Sequence, residues 1–184
     1  MHTFWRIFYT VFLLIITFQA AAQTYTANNG HVYFLSEAPI QNIEAHSTQL
    51  GGALRLNDRS FAFSIPIESF EFERSLMQQH FNESYLESEK YPRATFVGKL
   101  LDSTNFAIPG TYAVTAVGKL TIHGITQERT IGGVIISDKN RLTLEAIFPV
   151  KISDHNIKIP RLLFETIAET VNVKVNMVLR PVKT

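Results

Sequence analysis

Histidine side chains could give this 184-residue chain a chemical function, because imidazole binds metals and transfers protons near neutral pH. Six occur, at His2, His31, His46, His80, His123 and His155. No two have the H-x-H or H-x-x-x-H spacing of a local metal site. An enzyme that uses His80, His123 or His155 beside an acidic residue stays an open alternative. The spacing itself predicts no metal site.

Nucleophilic and nucleotide chemistry also find no support in the sequence. The chain contains no cysteine, which excludes thiol nucleophiles, disulfides and thiolate metal sites together. It lacks the G-x-S-x-G turn of many hydrolases and the phosphate-binding loops G-x-x-x-x-G-K-[ST] and G-x-G-x-x-G. Catalytic triads are assembled in space, so these absences do not remove every enzyme. They leave no catalytic residue and no cofactor to predict.

The first 22 residues have the pattern of an export signal. Arg6 is their single charged residue, an apolar run extends from Ile7 to Phe18, and three alanines at 20–22 fit a cleavage site. The run is shorter than the roughly 20 residues that a membrane-spanning helix needs. We therefore predict a signal peptide at 1–22, one domain at 23–184, and no stable membrane span.

Charge excludes one class of partner. The chain has 17 Lys and Arg residues against 16 Asp and Glu, and Arg6 belongs to the predicted signal. The remaining domain is electrically balanced and has no basic run. Nucleic acid is therefore not an expected partner.

Strand signals dominate the domain, because apolar residues recur at every second position. In "TVNVKVNMVLR", Val171, Val173 and Val175 share one face, as expected for an antiparallel sheet with one buried side. Gly118 lies on the apolar side of another such run, where it permits a bend or a close approach. The predicted strands are 31–36, 42–47, 52–57, 61–68, 94–101, 111–123, 128–137, 141–150 and 169–180. Such short strands are typical of a barrel or sandwich.

Turns and two helical segments complete the pattern. Turn-favouring residues occur at "NNG" (28–30), "LNDRS" (56–60), "SDKN" (137–140) and His123-Gly124. Apolar residues in "ERSLMQQHFNESYLES" (73–88) fall closer to helical than to strand spacing, and a second helical turn is predicted at 161–169. His123 falls on the polar-facing side of its strand, at the start of a turn that Gly124 makes easy.

Aromatic residues concentrate in the middle of the chain. Phe61, Phe63, Ile65 and Ile67 alternate along one predicted strand, so all four should face inward. They could pack as a filled core. They could equally line a cavity, because a barrel of about eight strands is just wide enough to hold one small ligand. The pattern alone leaves both interpretations open.

Several segments, in order, resemble the YceI-like family of exported bacterial proteins. The resemblance covers essentially all of 23–184, and its middle segment, which joins strand, short helix and a Tyr-Pro-x-Ala-x-Phe strand entry, is the most specific. The matching segments are "HVYFLSEAPIQNIEAHS", "FAFSIPIESFEFERSLMQQHFNESYLESEKYPRATFVGKL", "YAVTAVGKLTIHGIT", "DHNIKIP" and "VNVKVNMVLR".

The resemblance implies an all-β fold with short helices, an antiparallel lipocalin-like β-barrel of about eight strands. It also implies a non-catalytic protein that holds a long-chain apolar lipid, such as a polyisoprenoid, in an elongated cavity. Periplasmic localisation follows from the family, with secretion left open. The large apolar residues of the matching segments are the candidate lipid contacts: Phe61, Phe63, Ile65, Phe70, Phe72, Leu76, Phe81, Tyr85, Phe96 and Leu120.

Two questions stay open at this point. The alternative to a lipid carrier is an exported structural or stress-related module whose barrel is filled by its own phenylalanines and has no lipid ligand. The oligomeric state, monomer or homodimer, is also undetermined by the sequence.

Overall fold

Alternating apolar residues build a closed barrel in the computed structural model, which describes residues 23–138, 140–159 and 167–182. The predicted signal peptide and most of the predicted helical turn at 161–169 lie outside these residues. The described strands are β1 (Thr24–Glu37), β2 (Asn42–Arg55), β3 (Ser60–Pro66), β4 (Glu71–Phe72), β5 (Arg93–Leu100), β6 (Gly110–Ile122), β7 (Ile125–Asp138), β8 (Arg141–Lys151) and β9 (Thr170–Pro181).

Eight of these strands close on themselves. Their order is β1-β9-β8-β7-β6-β5-β3-β2, every neighbouring pair is antiparallel, and pairing of β1 with β2 completes the ring. The two-residue strand β4 is an addition, paired with Ala45 and His46 of β2. The predicted fold class, an antiparallel barrel of about eight strands, is confirmed.

One end of the barrel is filled by its own side chains, and we call it the closed end. Buried apolar residues meet here from the start of β1, the end of β2 and the ends of β7 and β9; they include Tyr25, Leu54, Ile135, Met177 and Leu179. Phe106, from the β5–β6 loop, is buried against this cluster and its carbonyl accepts a hydrogen bond from Ser137 Oγ at 2.6 Å. The loop therefore seals this end.

The opposite end carries the helical elements. Helix α1 (Ser75–His80) continues into one wider, π-helical turn at Phe81–Tyr85, which confirms the helical segment predicted at 73–88. Short 3-10 turns lie at Ile67–Ser69 and Ile152–His155. None of the helices among the described residues is long and apolar enough to cross a membrane.

Two glycine-rich segments differ from their predictions. The predicted turn at 28–30 is wrong: β1 runs through it with an irregular register, and Gly30 leaves room for Met177, whose Cβ would lie 3.1 Å from an added Cβ. The strands predicted at 42–47 and 52–57 are one strand, β2. Gly52, at φ 156°, bends it where an added Cβ would lie 2.2 Å from the carbonyl oxygen of Ala62.

The turns predicted at 56–60 and at His123-Gly124 agree with the structure, and the one predicted at 137–140 lies partly outside the described residues. His123 and Gly124, at φ 52° and 71°, form the two-residue turn that joins the paired residues Ile122 and Ile125. This is the positive-φ geometry that suits the twist of a tight hairpin. Gly118 makes the predicted close approach, since an added Cβ would lie 2.9 Å from the Cα of Gly98 on β5.

Candidate functional site

The half of the barrel away from the closed end encloses a cavity of about 400 Å³. Leu50, Leu100 and Val114 border it toward the closed end. All nine strands contribute residues to its wall, together with residues on and after α1 and residues in and after the 3-10 turn at Ile152–His155. A cavity of this size lies within the roughly 300–1,000 Å³ range of small-molecule sites.

Nine of the ten sequence-predicted site residues line this cavity. They are Phe61, Phe63, Ile65, Phe70, Phe72, Phe81, Tyr85, Phe96 and Leu120. Leu76 does not: it lies on α1 with 61% of its surface exposed, while its neighbour Met77 borders the cavity. Helical geometry explains the difference, because consecutive helix residues point about 100° apart and only one side of this short helix faces the barrel. Whether the nine residues bind a lipid stays a prediction.

Aromatic rings form the α1 side of the wall. Phe81 lies 5.0 Å from Phe72, 5.7 Å from Phe70 and 5.8 Å from Phe34, measured between ring centroids. A second group joins Phe61 to Phe63 at 5.2 Å and to Phe96 at 4.9 Å. Such offset and edge contacts hold large apolar surfaces in place.

The prediction missed Phe34 and most of the aliphatic wall. Phe34 lies within a predicted strand, but the alternation there gives no sign that it would meet the phenylalanines near α1. The apolar residues missed on β7, β8 and β9 include Ile131, Leu144, Phe148, Val150, Val171, Val173 and Val175. Their alternation was readable in the sequence, and closure of the sheet is what turns that face toward the same cavity.

Few polar side chains line the cavity, and three of them have hydrogen-bond partners. Ser36 Oγ accepts the backbone N–H of Ala168 at 2.9 Å, and Ser64 Oγ is 2.6 Å from Arg93 Nε. Glu145 Oε1 accepts a hydrogen bond from Asn176 Nδ2 at 2.9 Å. Burial raises the pKa of the Tyr85 hydroxyl, which stays neutral. No lysine or arginine among the described residues lines the cavity.

The histidines lie apart from this wall, with the exception of His80. His80 borders the cavity beside α1 and is exposed to solvent. His123 Nδ1 lies 3.1 Å from the carbonyl oxygen of His155, and its Nε2 lies 2.6 Å from Glu87 Oε2. The carbonyl and the carboxylate therefore occupy both ring nitrogens of His123. Within the described residues, no three His, Asp or Glu side chains are grouped so that they could hold a metal ion.

Comparison with known proteins identifies the family. The sequence model of the YceI-like domain matches residues 23–179. The chain belongs to the YceI-like family. No curated protein matches this YceI-like chain.

Solved structures share the fold at low sequence identity. A polyisoprenoid binding domain from Saccharophagus degradans, implicated in plant cell wall breakdown, matches with a TM-score of 0.76 and 16% identity over 88% of this chain and 99% of its own. BcnA of Burkholderia cenocepacia matches with a TM-score of 0.65 and 18% identity over 81% of this chain and 95% of its own. The YceI protein of Campylobacter jejuni matches with a TM-score of 0.61 and 17% identity over 80% of this chain and 90% of its own. At these identities the likeness to this YceI-like chain concerns the fold.

Proposed function

We propose that this protein binds a long apolar chain, of the polyisoprenoid kind, in its barrel cavity and carries or sequesters it outside the cytoplasm. The observation that carries the proposal is the apolar wall around an unfilled cavity of about 400 Å³. Burial of apolar ligand surface contributes about 25 cal/mol per Å², so 300 Å² contributes roughly 7 kcal/mol before ordering costs. The polyisoprenoid binding domain of similar fold supports this ligand class.

The cavity also favours an uncharged ligand. Among the described residues, Glu145 is the one Asp or Glu at its wall, and no lysine or arginine accompanies it. A buried carboxylate or phosphate would lose its hydration without gaining a partner, which is costly. We therefore expect all-trans-retinol, an isoprenoid alcohol, to bind at least about tenfold more tightly than retinoic acid, a difference of about 1.4 kcal/mol. Equal affinities in a fluorescence titration would contradict this preference for a neutral head group.

Extraction of bound lipid tests the function directly. The chain is produced with its N-terminal segment in a bacterial host and purified from the periplasmic fraction. Organic extracts are then analysed by mass spectrometry. An apolar chain should be found in the extract, and the recovered protein should begin at Gln23, because 1–22 has the pattern of a signal peptide.

A matched pair of substitutions on β6 provides the control. Ala116 lines the cavity, whereas Ala113 lies on the outer face of the same strand and is exposed. Ala116→Phe should reduce the extracted lipid by filling the site, and Ala113→Phe should leave it unchanged. If wild-type extracts are empty and added isoprenoids do not raise the melting temperature, the chain does not bind such lipids, since a ligand specific for the folded state must stabilise it.

A further inference from the structure

The barrel wall is interrupted between β7 and β8. Their backbone pairing runs from Asp138 and Arg141 to Gly133 and Ala146 and ends there. Beyond this point β7 stays paired with β6 as far as Ile125, and β8 stays paired with β9 as far as Lys151. The edges formed by 125–132 of β7 and 147–151 of β8 therefore face each other without a ladder. We call this interval the β7–β8 split.

The sequence supplies a physical reason for the split. Pro149 lies on β8 within it, paired to Asn172 of β9 on the other side. The carbonyl oxygen of Pro149 accepts a hydrogen bond from the Arg129 side chain of β7. The backbone N and carbonyl positions of Pro149 therefore face β7. Proline has no N–H to donate in that direction, which excludes a regular ladder at this position.

The cavity reaches the edges of the split. Gly132 and Gly133 border it from β7, and Ala146 and Phe148 border it from β8. At Gly133, the last paired position, an added Cβ would lie 2.8 Å from the carbonyl oxygen of Glu145. At Gly132, one residue further, an added Cβ would meet no atom within 4 Å. Gly132 is exposed on the outer face of β7, whereas Gly133 faces inward, so substitutions at Gly132 meet the split from outside.

Side chains bridge the split in place of the ladder. Arg129 donates to the Pro149 carbonyl oxygen, and its Nη1 lies 3.8 Å from Asp154 Oδ2. Gln127 Nε2 donates to the carbonyl oxygen of Asp154 at 2.7 Å. Both partly exposed side chains can change rotamer on the picosecond-to-nanosecond scale, whereas separating paired strands breaks several backbone hydrogen bonds together. The bridge can therefore open without breaking a backbone ladder.

We infer that the β7–β8 split is a lateral passage through which an apolar chain enters and leaves the cavity, with Arg129 as its latch. This inference rests on the proposed function and adds the route of exchange. A latch that crosses the passage without lining the cavity sets the rates of binding and release together and leaves the equilibrium affinity nearly unchanged.

Stopped-flow fluorescence of all-trans-retinol tests the passage. Arg129→Met removes the latch and should accelerate both association and dissociation about fivefold, as expected for loss of one charge-assisted bridge. Gly132→Trp places an indole on the outer face of β7 beside the split, where it covers the outer mouth of the passage and should slow association about fivefold or more. The controls lie on the paired part of the barrel: Arg141→Met at the β7–β8 hairpin and Thr111→Trp on the outer face of β6.

The outcomes separate the passage from the function. Retinol binding with altered rates in Arg129→Met and Gly132→Trp, and wild-type rates in both controls, supports the passage. Binding with wild-type rates in either folded split variant, verified by circular dichroism, overturns it and leaves the proposed function intact. If the wild-type protein does not bind retinol or any extracted lipid, the proposed function fails, and the passage fails with it.

Discussion

A buried histidine network joins three segments at the end of the barrel opposite the closed end. His123, in the β6–β7 turn, contacts Glu87 in the segment after the π-helical turn and the carbonyl oxygen of His155 in the 3-10 turn. Both partners of His123 are oxygen acceptors, so they fix the orientation of its ring. The hydrogen bond from His123 lowers the pKa of the Glu87 carboxyl, which favours its ionised form. His123 therefore has a structural role in this network.

His155 makes the fold sensitive to mild acid. Its side chain is 1% exposed, and burial lowers its pKa below the ordinary value of 6.5. The unfolded chain binds a proton near pH 6.5, while the folded chain keeps the ring neutral to lower pH. Folding stability is therefore unaffected by this titration above about pH 6.5. It decreases as the pH falls from there toward the folded-state pKa, because only the unfolded chain takes up the proton.

We expect the free energy of unfolding of the wild-type protein to fall between about pH 7.5 and about pH 5, and to fall less in His155→Asn. The asparagine amide can still donate to the Ile125 carbonyl oxygen, 3.1 Å from His155 Nδ1, but does not titrate. Glu87 stays ionised in this range, because its pKa is lowered from 4.5. Urea denaturation at several pH values measures the slopes, with exposed His31→Asn as control. Identical slopes in all three proteins would exclude His155 as the source.

At the scale of strands and turns, local chemistry was readable in the sequence and long-range geometry was not. Alternation predicted the strands, and the turn-favouring pair His123-Gly124 predicted the hairpin turn, where both residues have positive φ. Predictions failed where a distant residue decides the conformation. Gly30 looks like part of a turn until Met177 lies against it. The gap predicted at 48–51 is absent because β2 continues through it. The β7–β8 split likewise depends on Pro149 meeting β7.

The candidate site was also predicted only in part, because its local residues were readable in the sequence and its long-range contacts were not. Residues within one quoted segment, such as Phe61, Phe63 and Phe81, could be chosen from type and alternation. The orientation of Leu76 could not, because one turn of helix leaves several rotations consistent with the same pattern. Phe34 was missed because its partners lie more than thirty positions away along the chain.

Glycines in the strands mark where the barrel bends, and they differ in how much room they have. At Gly118 an added Cβ would lie 2.4 Å from the carbonyl oxygen of Val97, a backbone atom that cannot turn aside. We expect Gly118→Ala to lower the free energy of unfolding by about 1–3 kcal/mol through overpacking. At Gly132, where space is open, Gly132→Ala should be neutral or stabilise by about 0.4–1 kcal/mol by restricting the unfolded chain. Urea denaturation of the two variants measures this difference, and equal losses would contradict it.

The whole molecule divides into a filled half and a hollow half. At the closed end Tyr25, Leu54 and Ile135 pack with Phe106 over the end of the barrel, which supplies stability independent of any ligand. In the other half, apolar side chains surround the cavity. These side chains lack the packing contacts that they would have in a filled core. An apolar ligand would restore those contacts, so ligand binding and folding stability should be coupled in this protein.

That coupling distinguishes residues of the cavity wall from their exposed neighbours. Phe81 contacts Phe34, Phe70 and Phe72 at the wall, whereas Leu76 lies on the exposed side of α1. Retinol at about 100 times the wild-type Kd should stabilise the wild-type protein by about 2.7 kcal/mol, a melting-temperature rise of roughly 5–11 °C. Phe81→Ala should bind about tenfold more weakly and gain about 1.4 kcal/mol. Leu76→Ala should match the wild-type shift.

Thermal unfolding with and without retinol measures each gain against the same variant's own baseline, so a loss of intrinsic stability in Phe81→Ala does not affect the comparison. Equal shifts in the two variants would show that the ligand does not occupy this wall.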